Sequence, residues 1–152
     1  SEAMVDRCRK NLANKSGTVP VEVRLKDILD IQIENASVVV LNFTLQFLDR
    51  NQRQSLINRI STGLRAGGVL VISEKICFED DLEQADQTSW HHDFKRAQGY
   101  SDLEIAQKRN ALEDVLLPET EASHFKRLQQ AGFTRYHRWF QCFSFASYIA
   151  IK

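Results

Sequence analysis

The run Ala36-Ser37-Val38-Val39-Val40-Leu41-Asn42-Phe43 decides the fold, read together with Leu56, Ile57, Ile60 and Leu64 and then Val69-Leu70-Val71-Ile72-Ser73. The first run is β-branched, apolar and free of charge. That pattern suits a strand in the middle of a parallel sheet, where both faces are covered. The spacing of Leu56, Ile57, Ile60 and Leu64 marks one face of a helix. Asp49 and Gln52 stand before it at capping-box spacing, and Gly67-Gly68 offers a stop. Strand, helix and strand with short joints form a βαβ unit, so the two strands should pair in parallel.

Upstream, Val21-Glu22-Val23-Arg24-Leu25 alternates apolar and polar and predicts a half-buried strand, with Asp27 and Asp30 after it. A loop is expected from Asn14 to Pro20. Met4, Val5, Cys8 and Leu12 have helix spacing. Ser1 reads as its N-cap and Glu2 as its first acid, as though the chain were cut from a longer one.

Downstream, Glu79 to Asp86 carries five acids and no base, and predicts a solvated loop or helix start. Trp90, Phe94 and Ala97 suggest a helix that Gly99 ends. Ser101 and Glu104 form a capping box for a helix from Asp102 to about Leu116. Pro118 is expected to open another helix, with His124, Leu128 and Ala131 on one side and Gly132 at its end. His124 and His137 read as surface or helix-face residues. Phe133 to Phe140 and Phe143 to Ile151 read as a hairpin. The aromatic series Trp139, Phe140, Phe143, Phe145 and Tyr148 reads as core before it reads as a base-stacking surface.

The 152 residues hold 20 Lys and Arg against 20 Asp and Glu, and 43% are hydrophobic. That suits one core and argues against a broadly basic nucleic-acid surface. No apolar run approaches the roughly 18 residues of a membrane span, and no leader is evident. Cys8, Cys77 and Cys142 are far apart and odd in number, so a reduced, cytoplasmic protein is expected. His91 and His92 point about 100° apart on a helix, and Lys95 and Arg96 occupy the positions where a third metal ligand would stand, so no metal site is expected. An α/β order closed by an antiparallel hairpin is Rossmann-like. More narrowly, it is the shape of an S-adenosylmethionine-dependent methyltransferase fold, with a mostly parallel sheet. Fold alone names no substrate.

Four stretches go further: Ala36 to Phe47, Ser73-Glu74-Lys75, His91-His92-Asp93-Phe94-Lys95-Arg96-Ala97-Gln98-Gly99-Tyr100-Ser101, and Trp139-Phe140-Gln141-Cys142-Phe143. Together they resemble the carboxy-S-adenosyl-L-methionine synthase family of bacterial tRNA modification, and the resemblance covers essentially the whole chain. It implies an enzyme that makes carboxy-S-adenosyl-L-methionine from S-adenosyl-L-methionine and prephenate, releasing phenylpyruvate. The product would supply a partner enzyme that modifies the tRNA wobble uridine. The resemblance further implies a homodimer, no direct nucleic-acid contact and no membrane. It makes residues 1–152 the C-terminal part of one methyltransferase-like domain, with a helical insertion at about 79–117. The first strands of the sheet, the glycine-rich cofactor turn and the ribose-binding acid are absent from this chain.

Each candidate residue also has an ordinary structural role. Asp27 either caps the turn after its strand or accepts from an adenine amino group, with Ile28 covering the ring. Asn42 is either satisfied by local backbone or contacts the methionine moiety. Arg109 lies between Ile105, Leu112 and Leu116 in an apolar stripe, where a cation needs an anion. That anion is either Glu113 or a ligand carboxylate, which the planar guanidinium can grip with two bonds. The resemblance implies the ligand role for Asp27, Ile28, Asn42 and Arg109, and no nucleophilic side chain. The competing readings are an ordinary S-adenosylmethionine-dependent methyltransferase and a non-catalytic dimerisation fragment.

Overall fold

A computed structural model describes residues 1–13, 17–113 and 115–152, with Glu113 described for its backbone alone. The chain divides into two units, Ser1–Gln32 and Ile33–Lys152.

In the first unit, helix α1 spans Glu2–Ala13. It has the predicted apolar spacing but buries none of those residues, and Met4 is exposed. Val21 to Leu25 forms no strand, contrary to the alternation. A strand is held by a neighbour's backbone, and no described strand pairs with this segment. A short 3-10 turn follows at Ile28–Asp30.

The second unit is built on a four-stranded sheet of order β1-β2-β4-β3. Its strands are β1 (Ala36–Asn42), β2 (Leu64–Lys75), β3 (Arg135–Cys142) and β4 (Phe145–Ile151). β1 and β2 pair in parallel, as the βαβ reading requires, and β3 and β4 form the predicted hairpin. The helices are α2 (Arg50–Gly63), α3 (Asp81–Ala97), α4 (Asp102–Glu113) and α5 (Glu121–Gln130). Helix α2 turns Leu56, Ile57 and Ile60 into the core with Leu64, the residues its spacing selects. It packs on β2 and α5.

Several local signals resolve differently. Asp49 precedes α2, but its side chain makes no capping bond; only its carbonyl accepts, from the Gln52 N–H at 3.0 Å. α2 ends at Gly63, before the two glycines. A Cβ on Gly63 would stand 2.1 Å from the Ile33 carbonyl oxygen, so the backbones meet there and the chain turns out of the helix. Gly67 and Gly68 lie inside β2, where Gly67 donates to the Lys152 carbonyl. Pro118 opens no helix: α5 starts three residues later, capped by the Thr120 hydroxyl, which accepts from the Ser123 N–H. The Ser101–Glu104 capping box does form, the Glu104 carboxylate accepting from the Ser101 N–H at 2.8 Å.

Burial corrects three expectations. β1 is an edge of this sheet, so Val38 and Val40 remain 58% and 59% exposed instead of covered on both faces. β3 is the other edge, and Trp139 and Phe140 are exposed rather than core. His124 is 2% exposed, stacked on Tyr148 with ring centroids 5.3 Å apart. Burial first, and then the nearby Arg127 charge, lower its pKa to about 4. His137 is exposed, as expected.

Candidate functional site

Strands β1 and β2 end at Asn42 and Lys75, and a cavity of about 450 Å³ opens outside those carboxyl ends. That is where open α/β sheets collect ligands.

The turn that brings Gln46 and Phe47 to the cavity is held by a buried carboxylate. Glu74, 1% exposed, accepts the backbone N–H groups of Thr44, Leu45 and Gln46 at 2.9, 2.7 and 3.2 Å. These are the free donors at the start of the 3-10 turn Leu45–Phe47. Burial raises the Glu74 pKa, and the three amide bonds oppose that rise. Gln46 is also buried, and its Oε1 accepts from the Lys75 N–H at 2.8 Å. The turn after β1 is thereby fixed to the end of β2.

Aromatic rings shape one wall. Phe43 leaves β1 in the left-handed region at φ 53°, which costs a non-glycine residue on the order of 1–2 kcal/mol. Its ring meets Phe145 edge-on at 5.9 Å. His91 from α3 stacks on Phe143 at 5.5 Å and meets Phe145 edge-on at 5.2 Å.

The opposite character comes from charge. Lys75 from β2, Lys95 from α3, and Lys108 and Arg109 from α4 all line the cavity, and no carboxylate does among the described residues. Burial, and then the Lys95 charge, lower the His91 pKa to about 4 and depress His92 as well. Burial also depresses Lys95, and Lys108 and Lys75 add to the shift. The neighbouring Arg96, by contrast, is paired with Asp93 at 2.6 Å and Asp102 at 2.8 Å. The cavity can therefore hold an anion against aromatic faces, beside a neutral imidazole.

Behind it, Arg53 holds Glu119 at 2.5 Å and donates to the Leu48 and Leu117 carbonyls. Arg127 meets the same carboxylate at 2.8 Å. Burial would raise the Glu119 carboxyl, but the two arginines hold it below the usual range. This network anchors the segment that carries Leu116 and Pro118 to the cavity rim.

Of the residues selected from sequence, Arg109 lines this cavity. It also borders a smaller one of about 140 Å³ with His92 and Arg96. Its alternative partner, the Glu113 side chain, lies outside the described residues. Asn42 stands at the end of β1 but is exposed, not buried as its place in an apolar run suggests, because β1 is an edge. Asp27 and Ile28 belong to the first unit, where the Asp27 carboxylate caps the 3-10 turn by accepting from the Leu29 N–H at 2.9 Å. Lys75, Lys95 and Lys108 were not selected. A lysine closing an apolar strand, at Lys75, was the one available signal. No cluster of three His, Cys, Asp or Glu side chains able to hold a metal occurs among the described residues. No helix among them is long and apolar enough to cross a membrane.

No protein-family profile matches the chain. Among solved structures, the S-adenosylmethionine-dependent methyltransferase SibL in its apo form superposes with a TM-score of 0.64 at 14% identity, over 99% of this chain and 41% of that one. Human N-acetylserotonin methyltransferase in complex with SAM gives 0.57 at 16% identity, over 85% of this chain and 33% of that one. The fold is thus that of the S-adenosylmethionine-dependent methyltransferases. Within that class, the chain matches proteins named carboxy-S-adenosyl-L-methionine synthase along its whole length. Identity is 54% to the one from Hahella chejuensis, 57% to that from Marinobacter nauticus and 55% to that from Yersinia enterocolitica. The chain spans 61%, 61% and 57% of those relatives. The family resemblance carried by the four sequence stretches is borne out.

Proposed function

We propose that the protein carrying this chain is a carboxy-S-adenosyl-L-methionine synthase that uses S-adenosyl-L-methionine and prephenate and releases phenylpyruvate. The observation that supports this most is the cavity at the carboxyl ends of β1 and β2, with Arg109 and three lysines and no described carboxylate among them. Both the acid substrate and the carboxylate added to the product are anions. An ordinary methyl transfer needs no such concentration of positive charge.

In this reading prephenate loses carbon dioxide and hydroxide as its ring becomes aromatic. The hydroxide takes a proton from the sulfonium methyl, giving water. The methyl carbon then bonds to the carbon dioxide. Atoms and charge balance without an oxidant. The chain supplies proximity, partial exclusion of water and the cation that receives the new carboxylate. Arg109 grips that carboxylate, Asn42 lies beside the methionine moiety, Asp27 accepts from the adenine amino group and Ile28 covers the ring.

The reading extends to a cytoplasmic homodimer. The stretch at about 79–117 is then a helical insertion in one methyltransferase-like domain. The product goes on to an enzyme acting on the tRNA wobble uridine, and this protein itself touches no nucleic acid. The test is a mass spectrum of the small molecule retained by the full-length protein, repeated with prephenate carrying a labelled ring carboxylate. Labelled carboxy-S-adenosyl-L-methionine is expected. Plain S-adenosyl-L-methionine with methyl transfer to an acceptor would make it a methyltransferase instead.

A further inference from the structure

We propose that Lys75, Lys95 and Lys108 form an anion subsite of their own, separate from Arg109, that holds a carboxylate of a dicarboxylate substrate. The proposal rests on the reading above for the role of Arg109, and it adds where the acid substrate sits.

The three lysines come from three elements. Lys75 closes β2, its backbone N–H held by the buried Gln46 side chain at 2.8 Å. Lys95 lies one helical turn beyond His91 on α3, and Lys108 lies on α4. All line the same cavity, and none pairs with a carboxylate among the described residues. Convergence of like charges is unfavourable unless an anion joins them. Lys95 registers this: burial and the two other lysines lower its pKa.

Arg109 is placed differently. Successive helix residues point about 100° apart, so Lys108 and Arg109 address different directions. Arg109 also borders the smaller cavity beside His92, and Lys108 does not. The two histidines share Lys95 and Lys75 and differ in the further cations each feels. His91 feels Lys95, Lys75 and Lys108, whereas His92 feels Arg109 as well as Lys95 and Lys75. Arg109 therefore reaches a second cavity that none of the three lysines lines. The Phe43 and Phe145 rings, crossed edge-on at 5.9 Å, line the same cavity as the lysines. A small cyclic body with a carboxylate toward the lysines fits that arrangement. One cation would serve the carboxylate gained by the product, and the lysines would serve the acid that the substrate keeps.

The test uses the full-length protein with Lys95→Gln, Lys108→Gln and Lys108→Arg. Product formation is followed against prephenate concentration, and S-adenosyl-L-methionine is titrated by calorimetry. Each glutamine variant should raise KM for prephenate about ten- to hundred-fold, the scale of one lost charge-assisted contact. Affinity for S-adenosyl-L-methionine should hold, and Lys108→Arg should recover most of the loss. An unmoved KM, or a parallel fall in S-adenosyl-L-methionine affinity, overturns the subsite while leaving the synthase reading intact. If the wild-type protein makes no carboxylated product, the synthase reading fails, and prephenate is titrated directly by calorimetry. Wild-type binding that Lys95→Gln abolishes then sustains the subsite, and absence of wild-type binding overturns it.

Discussion

The Glu74 carboxylate, one residue before the end of β2, accepts the Leu45 backbone N–H at 2.7 Å, across 29 positions of sequence. Glu74→Gln keeps the volume but turns an amide NH₂ toward backbone donors. We expect a loss on the order of 1–3 kcal/mol, the cost of leaving buried donors unsatisfied. Urea unfolding checks the magnitude. Faster hydrogen exchange at Leu45 and Gln46 checks the place, and protection equal to wild type would exclude this role.

Arg109→Ala in the full-length protein should lose the carboxylated cofactor yet still bind S-adenosyl-L-methionine. The missing charge-assisted contact is worth roughly 1.5–3 kcal/mol. Mass spectrometry of the bound molecule after purification decides it. Undiminished retention of the carboxylated form would remove Arg109 from the site.

Glu119→Gln should be among the more damaging substitutions, because it leaves Arg53 and Arg127 buried without their anion. The expected cost is about 3–5 kcal/mol. Arg53→Met should cost less, since Arg127 still pairs with Glu119. Chemical denaturation of both variants tests the order, and the reverse order would contradict it.

Acid should weaken the fold through His124. Its pKa is about 4 in the fold against an ordinary 6.5, so the unfolded chain binds the extra proton between those values. The contribution is complete above pH 6.5, falls as the pH drops toward 4, and is flat below. It amounts to at most about 3 kcal/mol. His91 is also lowered to about 4, but it is half-exposed in the cavity and contributes less. His124→Phe keeps the stack on Tyr148 and should flatten most of the stability slope across this window. Denaturant midpoints at several pH values read it; an unchanged slope rules His124 out.

The βαβ core was legible because periodicity reports which face of an element is apolar. Leu56, Ile57 and Ile60 are buried where their spacing puts them, and the hairpin and the Ser101 cap follow from equally local rules. Two signals were locally sound and lost to their surroundings. The alternation at Val21 to Leu25 met no pairing strand. The glycine pair was pre-empted by Gly63, whose need for a bare Cα is imposed by Ile33, thirty positions upstream.

The sequence by itself determined the strand and helix order from Ala36 onward, the parallel pair and the family motifs, all of which depend on residues close together in the chain. Arg109 was selected the same way, from its neighbours at helical spacing. Only the tertiary structure decided what that cation keeps company with. Lys75, Lys95 and Lys108 share no spacing rule, and each alone reads as a solvated lysine. They become a charge cluster because β2 ends where α3 and α4 pass over its carboxyl end. The burial of Glu74 and His124 was settled in the same way. A charge's energy depends on its distance to other charges and to water, and folding sets both.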